Sequence, residues 1–398
     1  MNTASDLTLS LSEWAQRWRH REPNLLVHDP GGPRECLVRS GELVVPADAL
    51  PAALDRLERW VEKVEPVESA KLATLRLCGG VGDRCVQLAT ELADRVPVAA
   101  NHVHIGAPVL VGAPILMGTG TTADSVPPPP APPDLVWDPP VTVALLDSGL
   151  DPHPWFAGRP WLSAWGLQPE VLDADGDDLA DRQAGHGTFV AGVLLQHAPG
   201  VTVRHRRVLS SQGLSDDRTV AAALRAVRQR AAAAGEHLDV VLLTAGCHTV
   251  DDRCPPLLAR ELSRFTDAVF VAAAGNGATD RPFWPAADPA VLAVGATDSA
   301  RGPAPFSNHG PWVDAVAPGV DVVSSHVRFT PAERGVAPDT EAREYGAARW
   351  SGTSFAAPAI AAHVAVLRRA GVPAAAARRL TRTRFHPGSR TQTDHLIG

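Results

Sequence analysis

From Val141 onward the chain alternates short apolar runs with helical ones, and few folds accept that pattern. Val141 to Leu146 reads as a buried strand ending in Asp147. His186 to Leu195 reads as a helix, Val201 to Leu209 as a strand, Arg218 to Ala234 as a helix and Leu238 to Thr244 as a strand. Glu261 to Phe265 is helical, Ala268 to Ala274 and Val291 to Ala296 are strands, and the Ala-rich run Ala356 to Leu367 is a buried helix. Parallel strands need long crossovers, so the pattern predicts an α/β fold, a parallel sheet with helices on both faces. Active groups of such sheets gather at the carboxyl ends of strands. Asp147 and Asn276 fall at or just past such ends.

Residues 1–123 predict a separate, small α+β domain. Leu11, Trp14, Ala15 and Trp18 share one face of a helix, and apolar spacing predicts a second helix over Ala49 to Val64. Glu35 to Arg39, Glu42 to Val45, Ala73 to Leu77 and Val98 to Ile105 read as strands, and Asp83 to Val96 as a helix. His102 and His104 share one strand face. No third ligand stands near them in the sequence, so a structural role is expected and no metal site is assigned. Residues 124–140 are Pro-rich and read as a semi-rigid spacer between this unit and the 141–398 domain.

The balance of charges narrows the partners. A net charge of −7 gives no reason to expect nucleic acid or an anionic membrane. Arginine almost replaces lysine, which occurs only at Lys63 and Lys71. No run of 18 apolar residues is present, so no membrane span is expected. The first residues lack a basic stretch followed by an apolar core, which leads to the expectation of a cytoplasmic protein. Five cysteines form no metal motif. They read as free thiols, or Cys247 and Cys254 bridge a short loop in an oxidising compartment.

Three stretches carry chemistry. Gly352-Thr353-Ser354-Phe355-Ala356-Ala357-Pro358 puts a serine at the start of a buried helix, where unpaired N–H groups favour negative charge. Val143-Ala-Leu-Leu-Asp147-Ser-Gly holds a carboxylate at a strand end. Gly185-His186-Gly187-Thr188 sets a histidine between glycines at a helix start. Asp, His and Ser in that order form one of several known chain orders for a nucleophile, base and orienting acid.

These stretches resemble the subtilisin-like serine proteases (subtilases), and the likeness runs in order from about Val141 to Gly371. Val208-Leu-Ser-Ser-Gln-Gly-Leu is similar to the family's substrate-binding edge strand. Ala273-Ala274-Gly275-Asn276-Gly277 is similar to the segment bearing its oxyanion asparagine. Trp284-Pro285-Ala286, Val294-Gly295-Ala296, Phe306-Ser-Asn-His-Gly-Pro and Ala317-Pro-Gly also match. The resemblance implies a serine endopeptidase acting on proteins or peptides, with Ser354 as nucleophile, His186 as base, Asp147 as its orienting acid and Asn276 in the oxyanion hole. It implies that an extended substrate adds as a strand between Gly213-Leu214 and Thr244-Ala245-Gly246, near Ala274 and Gly275. Residues 1–123 have the place and pattern of an inhibitory propeptide, whose tail within about Gly106–Asp138 would enter the cleft. A permanent accessory domain is the alternative.

Two departures stand out. Phe189 replaces a second histidine, and Thr244-Ala245-Gly246 replaces Ser-Leu-Gly; both are expected to lie clear of the triad. Asp173, Asp175, Asp177, Asp178 and Asp181 suggest calcium, but the twelfth position of an EF-hand loop from Asp173 is Ala184 and not Glu. A solvated acidic loop is the expectation, with no cofactor. Two alternative functions stay open: a catalytically silent scaffold of the same fold, and another acyl transfer such as peptide ligation or esterolysis.

Overall fold

The computed structural model describes residues 11–18, 21–106, 123–330 and 342–387. At its centre lies a six-stranded sheet ordered Ala315–Pro318, Val291–Thr297, Val269–Ala273, Val240–Leu243, Thr142–Asp147, Thr202–Arg207. Every neighbouring pair is parallel. Thr142–Asp147 and Val291–Thr297 are buried at every position, because helices cover both faces. Helices His186–His197 and Thr353–Arg369 pack against Val143, Leu145, Val240 and Leu242 on one face. Helices Asp217–Ala233 and Pro256–Leu262 pack against Ala144, Leu146 and Val241 on the other.

The N-terminal unit is built on antiparallel strands with its own apolar core, which includes Val38, Leu43, Leu57, Leu75 and Leu88. Its sheet runs Ala99–Gly106, Cys36–Pro46, Leu72–Leu77, Val61–Val67, with Leu25–His28 also on Cys36–Pro46. The helix predicted over 49–64 is divided. It runs Leu50–Leu57, passes through a short turn at Glu58–Trp60 and becomes strand Val61–Val67. The β-branched Val61, Val64 and Val67 suit the pleated edge against Leu72–Leu77. The two strands predicted at 35–39 and 42–45 are one strand, Cys36–Pro46, whose register against Ala99–Gly106 shifts between Val38 and Leu43.

Val322–Thr330 pairs antiparallel with Ala342–Trp350; residues 331–341 fall outside the described part. Two polar residues of this pairing, Ser324 and Ser325, are buried. Ser324 and Ser325 donate hydroxyl hydrogen bonds to the Phe189 and Thr188 carbonyls at 2.8 and 2.9 Å. The Pro-rich stretch does not hang free. Asp124–Val126 adds a third strand to this pairing, Arg159 binds the Pro133 carbonyl at 2.9 Å, and Trp137 is buried in the main core beneath Arg369. Among the described residues no helix is long and apolar enough to cross a membrane.

One strand joins the two units. Ala99–Gly106 pairs antiparallel with Leu214–Asp216 on one side and Ala245–Gly246 on the other. The register sets Ile105 opposite Leu214 and Gly246, and Gly106 opposite Ala245. The tail expected to follow Gly106 into the cleft lies largely at 107–122, outside the described residues.

Candidate active site

Asp147 ends its strand at the carboxyl edge of the sheet, fully buried. His186 opens helix His186–His197, and its Nδ1 lies 2.6 Å from Asp147 Oδ1. Gly187 allows that approach: a Cβ there would sit 2.1 Å from the Gly149 carbonyl oxygen, in the loop that follows Asp147. The Ser148 N–H donates to Asp147 Oδ1 at 2.7 Å, and the Thr244 hydroxyl donates to Asp147 Oδ2. Burial pushes the Asp147 carboxyl up, but His186 and the hydroxyl and N–H donors outweigh it and hold its pKa below the usual value.

Ser354 stands in the first turn of helix Thr353–Arg369 and is 1% exposed. Its hydroxyl donates to the Thr244 carbonyl at 3.3 Å. His186 Nε2 is buried without a hydrogen-bond partner among the described residues. The imidazole lies between the rings of Trp350 and Phe355, with centroids 5.6 and 5.3 Å away. Phe189 packs on Phe355 at 4.6 Å and on Trp350 at 5.8 Å, so it extends the aromatic wall behind the imidazole.

Asn276 is oriented by the nucleophile's own loop. Its Oδ1 accepts from the Thr353 N–H at 2.8 Å and the Thr353 hydroxyl at 3.0 Å, so its NH₂ remains a donor. The Asn308 side chain steadies the same loop, accepting from the Gly277 N–H and donating to the Ala274 carbonyl, each at 2.8 Å. A cavity of about 300 Å³ opens here, with Thr244, Gly275, Asn276 and Ser354 in its wall. The N-terminal unit supplies the facing wall, including Leu37, Val103 and Ile105.

The fold thus brings Asp147, His186, Ser354 and Asn276 to one place. Of the residues expected to bind an extended chain, Gly213, Leu214, Ala245 and Gly246 flank a strand, and that strand is the protein's own Ala99–Gly106. The Gly106 N–H donates to the Gly213 carbonyl at 2.8 Å. Gly275 lines the cavity. Ala274 stands apart: it is buried, with its N–H on the Val294 carbonyl and its carbonyl on Asn308. Thr244 corrects the sequence reading, which held it clear of the triad; its hydroxyl binds Asp147 and its carbonyl receives Ser354.

Sequence reasoning missed Glu170 altogether. This carboxyl is buried, accepts from the Ser148 hydroxyl at 2.8 Å and from the Thr188 N–H at 2.9 Å, and so lies one residue behind Asp147. Burial, with Asp147 and Asp151 nearby, pushes its pKa up to about 7. Nothing in the sequence marks it, since it falls in a polar loop between the motifs.

The acidic loop is internally satisfied. Asp173 accepts N–H bonds from Gly176, Asp177 and Asp178 at 2.8, 3.2 and 3.0 Å. Arg21 pairs with Asp175, and with Asp177 at 3.2 Å. The Asp173, Asp175 and Asp177 carboxylates also come within 4.8 Å of one another. All five cysteines are free thiols.

Residues 138–386 match the model of the subtilase family. A thermophilic serine proteinase of Bacillus sp. (strain AK1) is 32% identical over 255 residues, covering 60% of this chain and 56% of that protein. Alkaline elastase YaB of Bacillus sp. (strain YaB) is 30% identical, covering 58% and 54%. Mycosin-1 of Mycobacterium tuberculosis is 28% identical over 313 residues, covering 65% and 66%. The chain spans about half the length of the first two. The fold likeness reaches further: the crystal structure of fervidolysin from Fervidobacterium pennivorans, described as a keratinolytic enzyme related to subtilisin, aligns over 84% of this chain and 55% of its own. The TM-score is 0.54 at 18% identity. The chain therefore belongs to the subtilase family.

Proposed function

We propose that the protein is a serine endopeptidase whose N-terminal unit restrains it. Ser354 Oγ attacks the substrate carbonyl, and His186 Nε2 takes its proton. Asp147 holds the imidazole tautomer and stabilises the imidazolium. The Asn276 NH₂ and the Ser354 N–H bind the oxyanion. The tetrahedral intermediate expels the amine, which receives the proton from His186, and water then hydrolyses the acyl-enzyme. Substrates are extended protein or peptide segments that add as a strand between Leu214–Asp216 and Ala245–Gly246.

The observation that carries this reading is the Asp147–His186 pair at 2.6 Å beside a serine at a helix start. The restraint rests on a second one: the backbone positions a substrate would use are taken by Ala99–Gly106. A latent enzyme also accounts for the Ser354 hydroxyl resting on the Thr244 carbonyl while His186 Nε2 has no partner. The same resting geometry favours a second reading, a catalytically silent binding module.

A fluorophosphonate probe separates them. The enzyme is expected to label after processing, with labelling lost in Ser354→Ala. A new N-terminus between about Gly106 and Val141, absent in Ser354→Ala, is expected by mass spectrometry. A folded, processed protein that takes no label would support the silent module.

A further inference from the structure

From sequence, His102 and His104 have no third ligand. The docked strand brings one of them to two further donors. His104 lies against Asp217, which opens helix Asp217–Ala233, and against Cys247, which follows Ala245–Gly246. All three side chains are buried, at 0, 0 and 1% exposure. His104 Nε2 is 2.8 Å from Asp217 Oδ1 and 3.5 Å from Cys247 Sγ, and the three donor atoms lie within 4.8 Å of one another. Zinc bonds of about 2.05 Å to nitrogen and about 2.3 Å to sulfur separate tetrahedral N and S ligands by about 3.5 Å. The observed N–S spacing matches that value, while the N–O spacing of 2.8 Å would have to open by about half an ångström.

The ion-pair partners of Asp217 among the described residues are the two imidazoles, His102 Nδ1 at 2.7 Å and His104 Nε2 at 2.8 Å. His102 Nε2 accepts the Val250 N–H at 3.4 Å, which puts the single proton of a neutral ring on Nδ1. The His102 backbone N–H donates to the same carboxylate at 3.0 Å. A divalent ion held by the Asp217 carboxylate and a Cys247 thiolate makes the cluster neutral. His102 then orients the carboxylate from behind, as outer partners of metal ligands do. The His104 ring is anchored only through Nε2, since its Nδ1 has no hydrogen-bond partner among the described residues. Cys36 lines the same cavity as Cys247.

We propose that His104, Asp217 and Cys247 bind zinc, and that the ion clamps strand Ala99–Gly106 to both walls of the cleft. Zn²⁺ replaces the Cys247 thiol proton, which leaves to solvent, and the His104 Nε2 proton, which moves to Nδ1. A donor set of imidazole, thiolate and carboxylate suits zinc over calcium or magnesium. The site depends on the docked strand and not on peptidase activity, so it is tested in the uncleaved Ser354→Ala chain.

That chain, dialysed against zinc and then metal-free buffer, is expected to retain about one zinc per molecule by elemental mass spectrometry. Cobalt substituted for zinc is expected to give a thiolate-to-metal charge-transfer band. Cys247→Ser should abolish that band, and His104→Gln should cut retained metal at least tenfold. Unchanged circular dichroism in both variants would exclude a folding artefact. A Ser354→Ala chain that retains no zinc, or whose cobalt spectrum lacks the thiolate band, would overturn the proposal and leave a purely hydrogen-bonded cluster.

Discussion

At the scale of single residues, the site is organised around a carboxyl group with another behind it. Asp147 is kept ionised by its donors, whereas Glu170, one serine away, is pushed up to about 7 by burial first and neighbouring carboxylates second. The folded chain therefore keeps a proton on Glu170 that the unfolded chain releases near the ordinary value of 4.5. Stability should fall as pH rises between those values, by up to about 1.4 kcal/mol per pH unit for one proton. Glu170→Gln removes this contribution. Thermal melting of Ser354→Ala backgrounds at pH 5 and pH 8 should show a smaller drop with Glu170→Gln than without it. Equal drops would mean that Glu170 titrates normally.

Asp147, His186, Asn276 and Ser354 were legible because each sits in a motif whose local backbone is set by its neighbours. Thr244 and Glu170 were not. Thr244 reaches Asp147 only because strand Val240–Leu243 pairs beside Thr142–Asp147, a contact between residues 97 positions apart. Glu170 reaches Ser148 and Thr188 by loop packing, for which no period or spacing exists.

At the scale of elements, the parallel strands and their helices were readable because burial on both faces leaves continuous apolar runs. The pairing Val322–Thr330 with Ala342–Trp350 was not, since its buried polar residues look like loop residues until their partners are known. The docking of Ala99–Gly106 was readable as a strand but not as a strand shared between two units. That sharing depends on a turn at Gly213, whose φ of +78° and close approach exclude a side chain. A Cβ at Gly213 would lie 2.7 Å from the Gly106 carbonyl oxygen. Gly213→Ala should cost about 1–2 kcal/mol in the left-handed conformation alone, and more from displacing the docked backbone. Hydrogen exchange is expected to show faster exchange of the Gly106 amide in Ser354→Ala/Gly213→Ala than in Ser354→Ala. Unaltered protection would separate the turn from the docking.

At the scale of the whole molecule, the two units are held by more than one strand. Arg281 donates to the Glu35 carbonyl of the N-terminal unit and to the Thr249 carbonyl, each at 2.5 Å, and to Asp252 at 2.7 Å. Arg260 makes a bidentate pair with Asp48 at 2.9 Å, on an exposed rim where such pairs contribute little. Leu37 and Val103 pack with Leu214, and Val44 and Leu72 with Ala221 and Leu257. Arg281 is more buried than Arg260, so Arg281→Ala should loosen the docking more than Arg260→Ala. The unprocessed chain is expected to label with fluorophosphonate several-fold faster than wild type. An unchanged rate would place the restraint in the strand pairing alone.

Under the proposed restraint, Ala99–Gly106, being covalently part of the molecule, would compete for the cleft without diffusing away. A tethered segment of this kind acts at an effective concentration on the order of millimolar. A free peptide of equal intrinsic affinity, present at micromolar levels, would then be outcompeted about a thousandfold. Raising the amount of target would do little, and severing the tether would do nearly everything. Turnover would thus be set by one irreversible cut per molecule, a timer more than a dial.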